Sequence, residues 1–231
     1  METDLRIRIA SLFLLALSAA PAFAANGICR GFNFQNSLTS LGLYEVTDTG
    51  RTRFVKGWTR EGQHCPSLDA NCRQPSFLIE GDKVVVNEIE GDFACANYVN
   101  EKGVNIANWL PLKSLSRTNM EPKWQGRWKT YDGKALLAID TAQGGTMVIS
   151  GSAEYDTGTT VNTGEIAGEG NAMLSELSFG YDGAGHLSYD EAARSGSCAV
   201  RMRQLGPYTA VVDNGACGGL NVSFTGLYRK E

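Results

Sequence analysis

Apolar residues in this chain recur at every second position, in short runs closed by glycine-rich turns. Few segments carry the 3.6-residue period of an amphipathic helix. Cys198, Val200 and Met202 fall on one side of a run whose other side holds Arg201 and Arg203. Successive strand side chains point to opposite faces, so this run describes a strand with one dry face and one wet face. Gly206-Pro207 makes a turn, and residues 208–212 return. Val222, Phe224, Gly226 and Tyr228 share one side of the last run, and residues 125–131, 136–139, 147–149 and 173–179 behave similarly. That gives about eight strands in the back half, enough to close a small antiparallel barrel.

The front half offers shorter runs at residues 28–34, 43–46, 53–58, 76–79, 84–89, 93–99 and 106–110, with Gly-Asp turns at 81–82 and 91–92. Phe93, Cys95, Asn97 and Val99 alternate with Ala94, Ala96 and Tyr98. If Cys95 is bridged and buried, Tyr98 lies on the outer face. Residues 117–123 are polar, lack a strand pattern and contain Pro122, which makes them the linker. The expected fold is all-β: a leader at 1–24, a small barrel at 25–116, the linker, and a second barrel at 124–231.

Arg6 and Arg8 precede an apolar run from Ile9 to Ala20, and Ala22-Phe23-Ala24 supplies the small-x-small pattern of a signal-peptide cleavage site. The run is shorter than the roughly 20 residues of a membrane span, so no stable membrane anchor is expected. All six cysteines lie beyond this leader. In an exported chain an even number reads as disulfides. Cys198 opens one arm of a hairpin and Cys217 lies just past the other, so these two should meet. Cys65 and Cys72 bracket a short loop, which leaves Cys29 with Cys95. No close Cys-x-x-Cys pair with nearby histidines exists, so no metal and no cofactor is expected. A formal net charge of -4 gives no global surface for nucleic acid. Locally, Arg51, Arg53, Lys56 and Arg60 interleave with Phe54 and Trp58, the pattern of a charged edge strand or of a strip that holds an anionic glycan or peptide.

Two segments carry resemblances. A Gly-Asp turn before a valine-rich strand, then Trp109-Leu110 before the final short strand, resembles the Src-homology-3-like domains of exported bacterial proteins, with Asn108 in place of their glycine. Trp124-x-Gly-x-Trp128, with the tail Cys217-Gly-Gly-x-Asn-Val-x-Phe-x-Gly-x-Tyr228, resembles a family of uncharacterised exported proteobacterial proteins that brings no activity with it.

Catalytic constellations are missing from the sequence. His64 lies in the Cys65–Cys72 loop, His186 lies in a glycine-rich turn, and no Gly-x-Ser-x-Gly elbow occurs. Glu165 with Glu169, or Asp182 with Asp190 and Glu191, are the conceivable acid pairs for a hydrolase, and each falls in a glycine-rich loop. Exposed aromatics give large contact area to peptides and sugar rings. The expected ligand-binding residues are therefore Trp58, Arg60, Tyr98 and Trp109, with Trp124 and Trp128 in the core. The expected function is non-enzymatic: an exported envelope protein that binds peptidoglycan or an envelope protein or peptide. The alternative is an inhibitor or immunity protein against a secreted wall hydrolase.

Overall fold

A computed structural model describes residues 28–32, 38–57, 64–100, 102 and 105–231. The leader, Trp58 and Arg60 lie outside the described residues. The described chain forms two antiparallel sheets and little else. Strands β1 (Gly42–Val46), β2 (Thr52–Val55), β3 (Arg73–Leu78), β4 (Lys83–Glu90), β5 (Phe93–Val99), β6 (Asn105–Pro111) and β7 (Leu115–Arg117) make a curled half-barrel in the order β3-β2-β6-β5-β4-β1-β7. Nine more strands make a nearly closed barrel: β8 (Gly126–Thr130), β9 (Ala135–Thr141), β10 (Met147–Asp156), β11 (Val161–Gly170), β12 (Glu176–Tyr181), β13 (His186–Leu187), β14 (Cys198–Leu205), β15 (Tyr208–Asp213) and β16 (Gly226–Lys230). Their order is β11-β10-β9-β8-β16-β15-β14-β12-β13.

Among the described residues one α-helix interrupts the pattern, α1 (Tyr189–Ser195). The Ser188 hydroxyl oxygen accepts from the Glu191 backbone N–H while the Glu191 carboxylate accepts from that of Ser188, a reciprocal capping box, and Gly196 ends the helix at φ 74°. Ser188-x-x-Glu191 followed by Gly196 was the available signal for this helix, and strand periodicity passes over it.

All three disulfides pair as expected: Cys29–Cys95, Cys65–Cys72 and Cys198–Cys217. Such bridges fit an oxidising compartment, and no described helix is long and apolar enough to cross a membrane. Trp124 and Trp128 are buried in the back barrel with Leu137, Ile139, Phe179 and Tyr228.

At β5 the front sheet is buried on both of its faces. Ala94 and Ala96 turn toward the half-barrel interior with Phe54 and Leu110, and Tyr98 packs against that same cluster. Cys95 and its cross-strand neighbour Trp109 face the other way and are covered by Cys29 and the Cys65–Cys72 loop. The expectation that burying Cys95 leaves Tyr98 outside therefore fails, because a curled sheet with a covered outer face has no wet side at this strand. The cover continues onto the back barrel. Tyr208, Ala210, Leu205 and Leu227 share one apolar cluster with Leu41, Leu43, Val85 and Val99. The Tyr208 hydroxyl donates to the Lys83 carbonyl at 2.8 Å and to the Val99 carbonyl at 3.3 Å, and Arg229 Nη1 donates to the Val99 carbonyl at 2.6 Å. The two sheets thus share a core.

Candidate functional site

Where the sheets lean together they leave an open cleft. Two adjoining recesses, of about 400 Å³ and about 460 Å³, have Val99, Thr130 and Tyr131 in common. Binding sites favour such junctions, because walls from separate elements give a concave surface that one sheet face lacks.

Each wall is held by local chemistry. On the front side Asn97 is buried in β5, where its amide donates to the Val85 carbonyl at 3.0 Å and to Asn87 Oδ1 at 2.8 Å. Its oxygen accepts from the Phe32 backbone N–H at 2.7 Å, which straps the segment Arg30-Gly31-Phe32 against β5 and β6. Gly31 has φ 74°, and a Cβ there would stand 2.8 Å from Ala107 Cβ, so only glycine lets the segment lie this close. Arg30 is thereby set on the rim, with Asn105 and Ala107 beside it.

On the back side the β8–β9 hairpin presents Tyr131. Asp132 Oδ1 accepts from Thr130 Oγ1 at 2.7 Å and from the Lys134 backbone N–H at 3.2 Å, which locks the turn. The tail loop after β15 supplies Asn221 and Ser223. This loop is organised around the Asp213 carboxylate, which accepts from the Gly215 backbone N–H at 3.0 Å, from Ser223 Oγ at 3.1 Å and from the Phe224 backbone N–H. Asn214 donates to the Ser197 carbonyl at 2.7 Å and accepts from the Ala199 backbone N–H at 3.1 Å, beside the Cys198–Cys217 bridge. The tail motif is in physical terms a carboxylate-centred loop stapled to β14, and it forms one end of the cleft.

Two tyrosines dominate the opening. Tyr131 is 50% exposed and Tyr155, near the end of β10, is 41% exposed. Neither hydroxyl has a hydrogen-bond partner among the described residues. Arg30, Lys134 and Glu154 line the same recess. Exposed rings with nearby polar and charged groups offer flat apolar contact plus hydrogen bonding, the combination that suits sugar rings and extended peptides.

The residues expected from sequence to bind a ligand fall elsewhere. Trp109 is fully buried against the Cys29–Cys95 and Cys65–Cys72 bridges, so it gives no face to a ligand. Tyr98 is half-buried over the half-barrel core, 3.5 Å from Asp82 through its hydroxyl. Trp58 and Arg60 lie outside the described residues. The basic strip is also not an edge strand, since β2 pairs with β3 on one side and with β6 at Val55–Trp109 on the other. Its described arginines hold an aromatic instead. Arg51 stacks on the Phe77 ring at 4.5 Å and Arg53 at 5.9 Å, and Arg53 Nη1 donates to the Pro75 carbonyl at 3.0 Å.

The acids considered for hydrolysis serve the backbone. Asp182 accepts from the Ala184 and Gly185 backbone N–H groups at 2.9 and 2.7 Å, which hold its carboxyl below the usual carboxylate value. Glu191 is likewise held low by its bonds to the Ser188 hydroxyl and backbone N–H. Glu165 and Glu169 are four residues apart on β11, about 13 Å along an extended strand, which exceeds the roughly 5–10 Å of glycosidase acid pairs. Glu169 instead lies 3.8 Å from His186 Nε2 at an exposed site. Among the described residues no group of three or more histidines, cysteines or acids is placed to hold a metal ion. A further depression of about 540 Å³ over β9–β11 is lined by small residues such as Ser150, Ser152 and Ala167, with Glu165. Its two aromatic residues are the buried Trp128 and the half-buried Tyr181, whose hydroxyl already donates to the Gly183 carbonyl at 3.0 Å, unlike the exposed tyrosines of the inter-sheet cleft.

No protein-family model, curated protein or solved structure matches the chain.

Proposed function

We propose that the chain is an exported, disulfide-bridged binding protein of the bacterial envelope, with its ligand held in the cleft between the two sheets. The ligand class is an extended wall component, a glycan strand or its peptide, laid across Tyr131 and Tyr155. The observation that carries this reading is the pairing of two half-exposed tyrosines, with no hydroxyl partner among the described residues, over a cleft whose walls are fixed by the shared core and the Asp213 loop. The three bridges support export, and the resemblance of the front half to Src-homology-3-like domains supports recognition over catalysis. Function on such scaffolds is set by the site grafted onto them, so the site is what the experiment addresses.

The test is retention of the oxidised protein on purified peptidoglycan. The double change Tyr131→Ala and Tyr155→Ala should weaken binding by about tenfold, given roughly 0.5–1.5 kcal/mol per stacking ring. Its thermal midpoint should match the parent, because both rings are exposed. Equal retention of parent and variant would discard the cleft. Trp109→Ala does not serve here, since it removes a buried side chain and perturbs the fold itself.

A further inference from the structure

In the back barrel, the connection between β11 and β12 carries a tight turn that is costly for an isolated chain. Met173 and Glu176 close a two-residue turn with reciprocal backbone bonds, Met173 N–H to the Glu176 carbonyl at 2.9 Å and Glu176 N–H to the Met173 carbonyl at 3.0 Å. Leu174 in this turn has φ 56°, the left-handed region that glycine or asparagine occupies at less cost. It is also 90% exposed, and Met173 is 79% exposed. An apolar side chain on strained backbone in full contact with water brings the monomer no packing, and such a combination points to function.

Beside the turn lies a recess of about 240 Å³, lined by Leu38, Met173 and Val212, with Glu176 and Arg201 at its margin. It is large enough for a leucine side chain. Knob and recess therefore occupy one patch of surface, and so do an acid and a base. Neither Glu176 nor Arg201 has an ion-pair partner among the described residues, Arg201 stacking instead on the Tyr189 ring at 5.1 Å.

A two-fold interface uses the same patch on both subunits, so that patch must complement itself. We propose that this one does: Leu174 of one copy seats in the recess of a second copy and receives that copy's Leu174 in return, with Glu176 of each facing Arg201 of the other. The occupant is a second copy of this chain, because a foreign partner would require only the knob or only the recess. The wall-binding cleft lies apart from this surface, so the dimer and the ligand site stand or fall separately.

Sedimentation velocity of the oxidised full chain across the micromolar range tests the proposal. The parent should pass from monomer to dimer as concentration rises. Leu174→Asp should weaken association about tenfold or more. Leu174→Gly should weaken it similarly while raising the thermal midpoint of the monomer, because glycine relieves the left-handed strain; this separates loss of the knob from loss of the fold. Glu176→Arg alone should impair association, and Glu176→Arg with Arg201→Glu should restore it. A parent that stays monomeric throughout, or a Leu174→Asp variant that associates as the parent does, overturns the proposal, whatever other protein the turn captures.

Discussion

The back sheet curls until its edges nearly meet, whereas the front sheet stops half-way and takes its cover from elsewhere. The back barrel fills its interior from its own strands, with Trp128, Leu137, Phe179 and Tyr228, and carries one disulfide. The front sheet covers its second face with two bridged segments, with Trp109 beneath them, and with Tyr208, Leu205 and Leu227 from the back barrel. Small sheets that cannot close need staples or neighbours to bury enough apolar surface. Here the front unit uses both, and the borrowed neighbour is what leaves a cleft at the junction.

The largest effect is expected from Trp109→Ala. Removing a fully buried indole should cost about 3–5 kcal/mol in urea unfolding. A loss below about 1 kcal/mol would mean that the stapled face is open to water. Next come the bridges. Loop-closure entropy favours the longer loop, so replacing Cys29 and Cys95, 66 residues apart, should cost about 4 kcal/mol. Replacing Cys198 and Cys217, 19 apart, should cost about 3 kcal/mol. The reverse order would show that the front sheet does not depend on its staples more than the back barrel does.

The junction itself is read out by pH. Burial pushes the Tyr208 phenol up to about 12, from about 10 in an open chain. The folded state then holds this proton more tightly than the unfolded state. Its contribution is complete below about pH 10 and is lost as pH rises through about 12, on the order of 2–3 kcal/mol. Tyr208→Phe should flatten that alkaline decline, leaving the part due to Tyr228, whose phenol is also raised by burial. Unchanged pH dependence would detach Tyr208 from the shared core. The smallest effect belongs to Glu191. Its carboxyl is held low, so its support for α1 is present above the ordinary carboxylate range and fades as pH falls through it. Glu191→Gln should remove that acid dependence by losing the small increment near neutral pH while leaving stability in acid unchanged.

Much of the architecture was legible because alternation reports directly which strand face is dry. Strand β11 was not, since three of its ten residues are Gly164, Gly168 and Gly170. Their reason is tertiary: a Cβ on Gly168 would stand 2.0 Å from the Phe179 ring, and one on Gly164 would stand 2.7 Å from the Cys217 carbonyl oxygen. Glycine here is the inward face of a strand pressed by other segments, and it reads in sequence as a loop. Trp109 was misplaced for the converse reason, since a tryptophan under a disulfide and one on a surface look alike in a linear pattern. The cleft was invisible because Arg30, Asn105, Tyr131, Tyr155 and Asn221 meet only once two sheets dock.

A hydrogen-exchange footprint of the oxidised protein, with and without solubilised wall fragments, reads the inter-sheet cleft directly. Added protection is expected at residues 105–107 and 129–134, with the β2–β3 pair around Phe77 unchanged. Protection confined to β2 and β3, with the cleft exchanging as before, would contradict binding there.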